Sequence, residues 1–137
     1  MYQPGKEYQI YVDLVLYRYY IHKDHRNGNM RKSQWTCSPK DEISLFKRGV
    51  KEKWFENNES ILFSLVKEGI EVGKSLSGNR LFFSKFVYNS INWHGYPADY
   101  IKNSQDKPSK SILCDWFSKK LIGKRCLRQI MKGQPCL

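Results

Sequence analysis

The 137-residue sequence has no long hydrophobic run, few acidic residues and only three histidines. Its longest nearly uncharged apolar stretch, residues 60–66, is far shorter than the ~20 residues that a membrane-spanning helix requires. No apolar segment of signal-peptide length follows the first residues. We therefore predict a cytoplasmic protein that makes no contact with a membrane.

The sequence also lacks the short motifs that identify common enzyme classes and zinc sites. It contains no glycine-rich phosphate loop, no Gly-x-Ser-x-Gly turn and no Cys-x2-Cys pair. His22 and His25, followed by Cys37, could supply zinc ligands, but their spacing matches no zinc module. We accordingly predict neither a metal nor a cofactor.

The four cysteines are an even number, as a pair of disulfides would need. Because no export signal is present, reduced thiols are the favoured interpretation. Cys114 and Cys126 fall on predicted apolar helix faces, where cysteine acts as a small hydrophobic residue.

Basic and aromatic residues are abundant. The chain has 24 Lys and Arg against 13 Asp and Glu, a formal net charge of +11, and 15% of its residues are aromatic. This aromatic content excludes a disordered basic tail, because disordered chains are poor in aromatic residues. The length and composition predict a single basic domain over residues 1–137.

Alternating apolar positions from residue 7 to 21 predict one long strand, with Ile10 and Leu14 among the residues on its core face. The tyrosines at 11, 17 and 19 have the opposite parity and are an alternative base-stacking surface, although burial on both faces is favoured. The polar segment that follows centres on Asn27-Gly28, a pair typical of two-residue hairpin turns. We therefore predict a hairpin whose return strand spans about residues 30–37.

The middle of the chain contains one helix signal followed by several shorter segments. Ser38, Pro39 and two acidic residues predict a helix start, and apolar spacing continues to about Phe55. Residues 59–69 fit a helix or a strand, and a short helix is favoured. Residues 72–80 are predicted as a loop, 81–91 as a buried strand, 92–100 as an aromatic loop and 101–107 as a polar linker.

Apolar spacing predicts two helices between residues 109 and 133, separated at Gly123. An ordinary helical hairpin is favoured over a helix-turn-helix, because no third supporting helix is evident. The predicted fold class is α+β. A small antiparallel sheet, made of the N-terminal hairpin and a later strand, packs against helices, and a helical hairpin ends the chain.

The positive charge is unevenly distributed. Residues 1–40 carry a net +4, residues 41–80 are neutral, and residues 81–137 carry a net +7. Like charges at helical spacing in the last helix repel one another, and a polyanion would relieve that repulsion. The candidate contacts are Lys23, Arg26, Arg31, Lys32, Lys119, Lys120, Lys124, Arg125, Arg128 and Lys132.

These observations favour a non-enzymatic protein that binds a polyanion, most simply the backbone of DNA or RNA. A first alternative is an inhibitor-like module whose cationic face docks on an acidic protein. A second is a small metal-independent nuclease that uses His94 together with His22 or His25. In that case Trp93, His94 and Tyr96 form the functional loop.

Overall fold

A computed structural model describes residues 1–136 of the chain. The strands are β1 (Glu7–Val12), β2 (Val15–Tyr20), β3 (Gln34–Trp35), β4 (Phe55–Glu56), β5 (Ile61–Leu65), β6 (Gly73–Lys74), β7 (Arg80–Leu81), β8 (Phe83–Tyr88) and β9 (Trp93–Pro97). The helices are α1 (Pro39–Glu52), α2 (Lys110–Ser118) and α3 (Lys124–Met131), with a short 3-10 turn at Ser104–Asp106.

Six strands form the main sheet in the order β1-β2-β9-β8-β5-β4, and β3-β6-β7 form a small second sheet. All neighbours in the main sheet are antiparallel except β2 and β9, which run parallel. The predicted α+β class, with two helices at the C-terminus, is confirmed. The sheet is larger than predicted, because segments expected to be loops or helix are strands.

The predicted long strand is two strands, β1 and β2, joined at Asp13 and Leu14. Both turn residues have positive φ, 48° and 70°, and Val12 pairs with Val15. This is the geometry of a type I′ hairpin turn. The pair Asp-Leu does not predict such a turn, because type I′ turns usually contain Asn-Gly or Asp-Gly. The turn resets the alternation, so Ile10 is buried whereas Leu14 is 98% exposed. Tyr19 is fully buried, as the favoured interpretation of burial on both faces predicts, whereas Tyr11 is 61% exposed.

The predicted hairpin at Asn27-Gly28 is wrong. Residues 22–33 form an irregular loop, and only the two residues of β3 follow it as a strand. β3 pairs with β6 rather than with the N-terminal strands. We call residues 22–33 the basic loop.

Helix α1 confirms the helix predicted after Ser38. The Ser38 hydroxyl accepts a hydrogen bond from the Asp41 backbone N–H at 3.1 Å, and the Asp41 carboxylate reaches back to the Ser38 N–H. This capping box satisfies backbone donors that the first turn would leave open. The helix ends at Glu52, and Lys53 adopts a left-handed conformation.

Residues 61–65, favoured as helix, form strand β5. Leu62, Phe63 and Leu65 are all fully buried, because β5 lies between β8 and β4 with both faces covered. A strand buried on both faces loses the alternation that would distinguish it from a helix. Within the predicted loop 72–80, β6 and the first residue of β7 form a short second hairpin.

The predicted aromatic loop 92–100 is also wrong over its first half, which is strand β9. Gly95 sits opposite Phe86 of β8. A Cβ at this position would lie 2.3 Å from the Phe86 ring and 2.9 Å from the Tyr19 hydroxyl. Glycine is therefore required for close packing here rather than for a turn.

The two faces of the main sheet carry different helices. On one face, Phe86 of β8 packs against Phe46 of α1 with ring centroids 5.5 Å apart. On the opposite face, Phe83 packs against Trp116 of α2, also at 5.5 Å. We call this second side of the sheet the α2 face. It is uncovered over β1 and β2, where Tyr11 is 61% exposed.

Helices α2 and α3 confirm the predicted helical hairpin, with Ser109 capping α2 through the Ile112 N–H. Cys126 on α3 is bonded to Cys136, so reduced thiols are the wrong prediction for this pair. Cys37 and Cys114 are free thiols. Cys114 is exposed, contrary to the prediction that it packs on an apolar helix face, because the Ile112, Leu113 and Trp116 stripe faces the core instead.

None of the helices described over residues 1–136 is both long and apolar enough to cross a bilayer.

Candidate functional site

All three histidines of the chain converge on the α2 face. The His22 ring centroid lies 4.8 Å from that of His94 and 6.5 Å from that of His25. We call these three residues the histidine cluster. Tyr20 borders it 5.0 Å from His22, and Tyr96 borders it 5.3 Å from His25. Each imidazole is partly exposed to solvent.

The parallel pairing of β2 with β9 creates this cluster. Tyr19 is opposite Trp93, and both side chains point to α1, where each contacts Phe46. Because side chains alternate along a strand, their successors Tyr20 and His94 point to the α2 face. His22 lies two residues after Tyr20, just beyond the end of β2. Trp93, predicted as part of a functional loop, is therefore a core residue, 5% exposed.

One hydrogen bond of its ring fixes His25, and a second bond anchors its partner Ser33. Its Nδ1 lies 2.8 Å from the Ser33 carbonyl oxygen, which can only accept, so Nδ1 carries the proton. Ser33 in turn donates its hydroxyl to the Pro97 carbonyl at 2.8 Å, which ties the basic loop to the end of β9. The His25 ring also stacks on Tyr96 at 16° between ring planes. These contacts leave Nε2 of the neutral ring with an available lone pair.

Arg26 anchors the basic loop to α1. Its guanidinium donates to Oε1 of Glu42 at 2.9 and 3.1 Å and to the Cys37 carbonyl at 2.7 Å. The Glu42 carboxylate is fully buried and also accepts the Tyr19 hydroxyl at 2.5 Å. Removing one partner of such a buried pair strongly destabilises the folded protein, because the other charge is left buried without a counter-ion. Arg26, predicted as a polyanion contact, therefore has a structural role, because its guanidinium is occupied by Glu42 and the Cys37 carbonyl.

Burial keeps two rings of the cluster, His94 and His25, poor in protons. It lowers the pKa of His94 to about 4, helped by repulsion from His22 and His25. Burial also lowers the pKa of His25. The positive charge of Lys32 acts in the same direction on both rings. Nδ1 of His94 is buried and has no hydrogen-bond partner among the described residues.

Tyr96 connects the cluster to a buried ion pair. Its hydroxyl donates to Oδ1 of Asp106 at 2.8 Å, and Lys85 Nζ lies 3.4 Å from the same oxygen. Burial raises the pKa of the Tyr96 hydroxyl, and the Asp106 charge raises it further. Tyr96 therefore remains a neutral hydrogen-bond donor, and it holds one wall of the site in place.

A cleft of about 350 Å³ adjoins the cluster. His25 and Tyr96 line it together with three cations, Arg31, Lys32 and Lys102. Lys102 was not among the predicted contacts, because it lies in what reads as an isolated polar linker. Asp99 and Asp106 also line the cleft.

Most of the predicted cations have no local counter-ion. Over residues 1–136, only Arg18, Arg26, Lys85 and Lys119 lie within 4.0 Å of a carboxylate. Two of these, Arg26 and Lys119, were predicted contacts. The remaining eight predicted cations are unpaired in the described structure: Lys23, Arg31, Lys32, Lys120, Lys124, Arg125, Arg128 and Lys132.

The segment 98–107 links the basic loop with the end of α3. Lys102 lines the cleft with Arg31 and Lys32, whereas Lys107 donates through Nζ to the Met131 carbonyl at 3.3 Å. The Tyr100 hydroxyl donates to the Gln134 carbonyl at 2.7 Å. Lys132 directly follows Met131, so it lies beside this segment.

The start of α3 and the end of α2 lie in a more acidic setting. The Gly123 N–H donates to Oε1 of Glu68 at 2.7 Å, next to Lys124 and Arg125 in the chain. Lys119 contacts Asp115 at 2.6 Å and Glu52 at 3.4 Å. Of the two ends of α3, the Lys132 end is therefore the one that better extends the positive surface around the cleft.

No group of three His, Cys, Asp or Glu side chains within residues 1–136 is arranged to hold a metal ion. The sequence matches no protein-family model, and no curated protein or solved structure is detectably similar to it.

Proposed function

We propose that this protein binds the phosphate backbone of nucleic acids, with the cleft beside the histidine cluster as the centre of the contact. The observation that supports this most is the set of unpaired cations around the cleft, Arg31, Lys32 and Lys102. Cations that lack protein counter-ions release bound salt ions when they meet phosphates, and that release favours binding.

The contact surface extends from the cleft in two directions. Along the 98–107 segment it reaches Lys107 and Lys132. Along the α2 face it reaches Tyr20 and the exposed Tyr11, rings on which bases can stack. Phosphate contacts position a protein without reading sequence, and we assign no residue to base recognition.

A charge-reversal experiment tests this proposal. The triple variant Arg31→Glu, Lys32→Glu, Lys102→Glu removes the cleft cations. Its matched control, Lys40→Glu, Lys47→Glu, Lys51→Glu, makes the same change in net charge on exposed positions of α1, across the sheet. Fluorescence anisotropy with a labelled 20-nucleotide RNA or DNA, at salt from 50 to 300 mM, measures the affinity.

We expect wild-type binding that weakens steeply with salt. The cleft variant should lose affinity, and its log–log salt dependence should become less steep by about one per lost phosphate contact. The control should lose much less affinity. A third variant, Lys124→Glu, Arg128→Glu, Lys132→Glu, shows how far α3 contributes.

Absence of RNA and DNA binding even at 50 mM salt would remove the proposal. Equal losses in the cleft variant and its control would show that binding is diffuse and not centred on the cleft. If nucleic acid does not bind and an acidic protein is captured at one-to-one stoichiometry, the inhibitor-like alternative replaces it.

A further inference from the structure

The histidine cluster brings proton-transfer groups to a surface suited to phosphodiesters. His22 and His25 are 6.5 Å apart, both are partly exposed, and His25 opens onto the cleft with Lys32. Building on the binding function proposed above, we propose that His25 and His22 are the catalytic pair of a site that cleaves single-stranded RNA.

His25 has the arrangement of a general base. Its Nδ1–H is held by the Ser33 carbonyl and its ring by Tyr96, so Nε2 is presented in a fixed orientation. Burial lowers its pKa, which keeps the ring neutral and able to take a proton at neutral pH. The same bond to a backbone carbonyl fixes the tautomer, as in other catalytic histidines.

His22 is placed to serve as the acid. It is the middle ring of the cluster, between His94 and His25, and it follows the end of β2 without a protein hydrogen bond fixing either nitrogen among the described contacts. His94 packs against His22 with ring centroids 4.8 Å apart. We assign His94 a positioning role, because its Nδ1 is buried.

The charged and titratable groups around the pair come from three elements. The basic loop contributes Lys32 and Asp24, β2 contributes Tyr20, and β9 contributes Tyr96 and His94. Lys32 lines the cleft with His25, and its positive charge would neutralise the charge that develops on the non-bridging phosphate oxygens.

RNA supplies its own nucleophile, the 2′-hydroxyl. His25 removes the hydroxyl proton while the 2′ oxygen bonds to phosphorus. The bond from phosphorus to the 5′ oxygen breaks, and His22 donates a proton to that oxygen. The products are a 2′,3′-cyclic phosphate and a free 5′-hydroxyl, and the two imidazoles exchange one proton overall. A single strand is required because the attacking and leaving oxygens must lie in line.

The test uses the full-length protein, an end-labelled single-stranded RNA of mixed sequence, and DNA of the same sequence in parallel. His25→Asn places an amide N–H where Nδ1 donates to Ser33 but removes Nε2, so the loop anchor is retained. His22→Asn is the second variant. The α1 triple variant described above, purified identically, controls for a contaminating nuclease. Circular dichroism and melting temperature report whether each variant is folded.

We expect wild type and the α1 variant to release fragments that end in 2′,3′-cyclic phosphate, with DNA bound but uncut. Each histidine variant should cleave at least ~100-fold more slowly at saturating protein, because acid–base groups contribute that much to rate. The RNA affinity of each variant, measured in parallel, separates loss of cleavage from loss of binding. Folded variants that cleave like wild type would overturn the inference.

The two proposals fail in different ways. RNA that binds with the predicted salt dependence but remains intact disproves the cleavage site and leaves the binding function standing. RNA that does not bind at all removes the binding function. RNA cut at the same rate by the α1 variant and by both folded histidine variants would assign the cleavage to a contaminant.

Discussion

Two of the three clustered histidines, His25 and His94, are kept neutral by their surroundings. Burial lowers the pKa of His94 to about 4, and the His22 ring, 4.8 Å away between centroids, lowers it further. Burial also lowers the pKa of His25. Near neutral pH these two rings are therefore neutral, and the site can accept a proton or a phosphate without crowding positive charge.

The lowered pKa of His94 predicts how stability changes with acid. Between pH 6.5 and 4 the unfolded chain binds a proton at His94 that the folded protein does not, so the free energy of unfolding falls as the pH falls through this window. Urea unfolding at several pH values should show this loss, and it should be smaller in His94→Gln. An identical decline in both proteins would show that the His94 pKa is not lowered.

Arg26 illustrates what a residue count cannot reveal. Charge counting groups it with Lys23, Arg31 and Lys32 as one basic segment, yet its side chain is only 11% exposed and its guanidinium is bonded to Glu42. The sequence offers no signal for this pairing, because the two residues are 16 positions apart and the carboxylate lies inside a helix. Only the fold distinguishes the structural cation from its neighbours.

At the scale of elements, the helices could be predicted, because their starts and ends depend on residues that are close together in the sequence. Helix α1 begins where its capping residues indicate, and α2 and α3 are separated at Gly123. Strands β5 and β9 could not be predicted in the same way. β5 is covered on both faces, so its apolar residues do not alternate. β9 contains Gly95, which close packing against Phe86 requires, but a glycine in a sequence is typical of a loop.

The disulfide is an element-scale feature with a measurable consequence. Cys136 ties residues 132–136 back onto α3 across a sequence separation of 10. In the chain-entropy model a loop of this size contributes roughly 2–3 kcal/mol to the free energy of unfolding. We expect reduction to lower the denaturation midpoint of the wild type and to leave that of Cys136→Ser unchanged.

Thiol titration of the native protein provides the matching control. Cys114 is exposed and should react rapidly, whereas burial raises the pKa of the Cys37 thiol to about 11 and should slow its reaction. Four rapidly reacting thiols would contradict the disulfide and restore the prediction of a fully reduced chain.

At the scale of the whole molecule, the site depends on one long-range pairing. β2 and β9 are more than 70 residues apart in sequence, and their parallel register brings the basic loop, Tyr20 and His94 together. The sequence identifies His22, His25 and His94 as candidates but contains no signal that they meet. It also predicts which chain segments are basic, but not that Lys102 joins them at the cleft.

The most direct test of the account follows the three histidine Cε1–Hε1 resonances by NMR while RNA is added. Because every histidine of the chain belongs to the cluster, any binding at the cleft is reported by these three signals alone. The uncleavable 2′-deoxy strand serves as the ligand where turnover interferes. We expect all three signals to shift and to saturate with the affinity measured by anisotropy. Binding seen by anisotropy while the three signals remain unmoved would contradict the account.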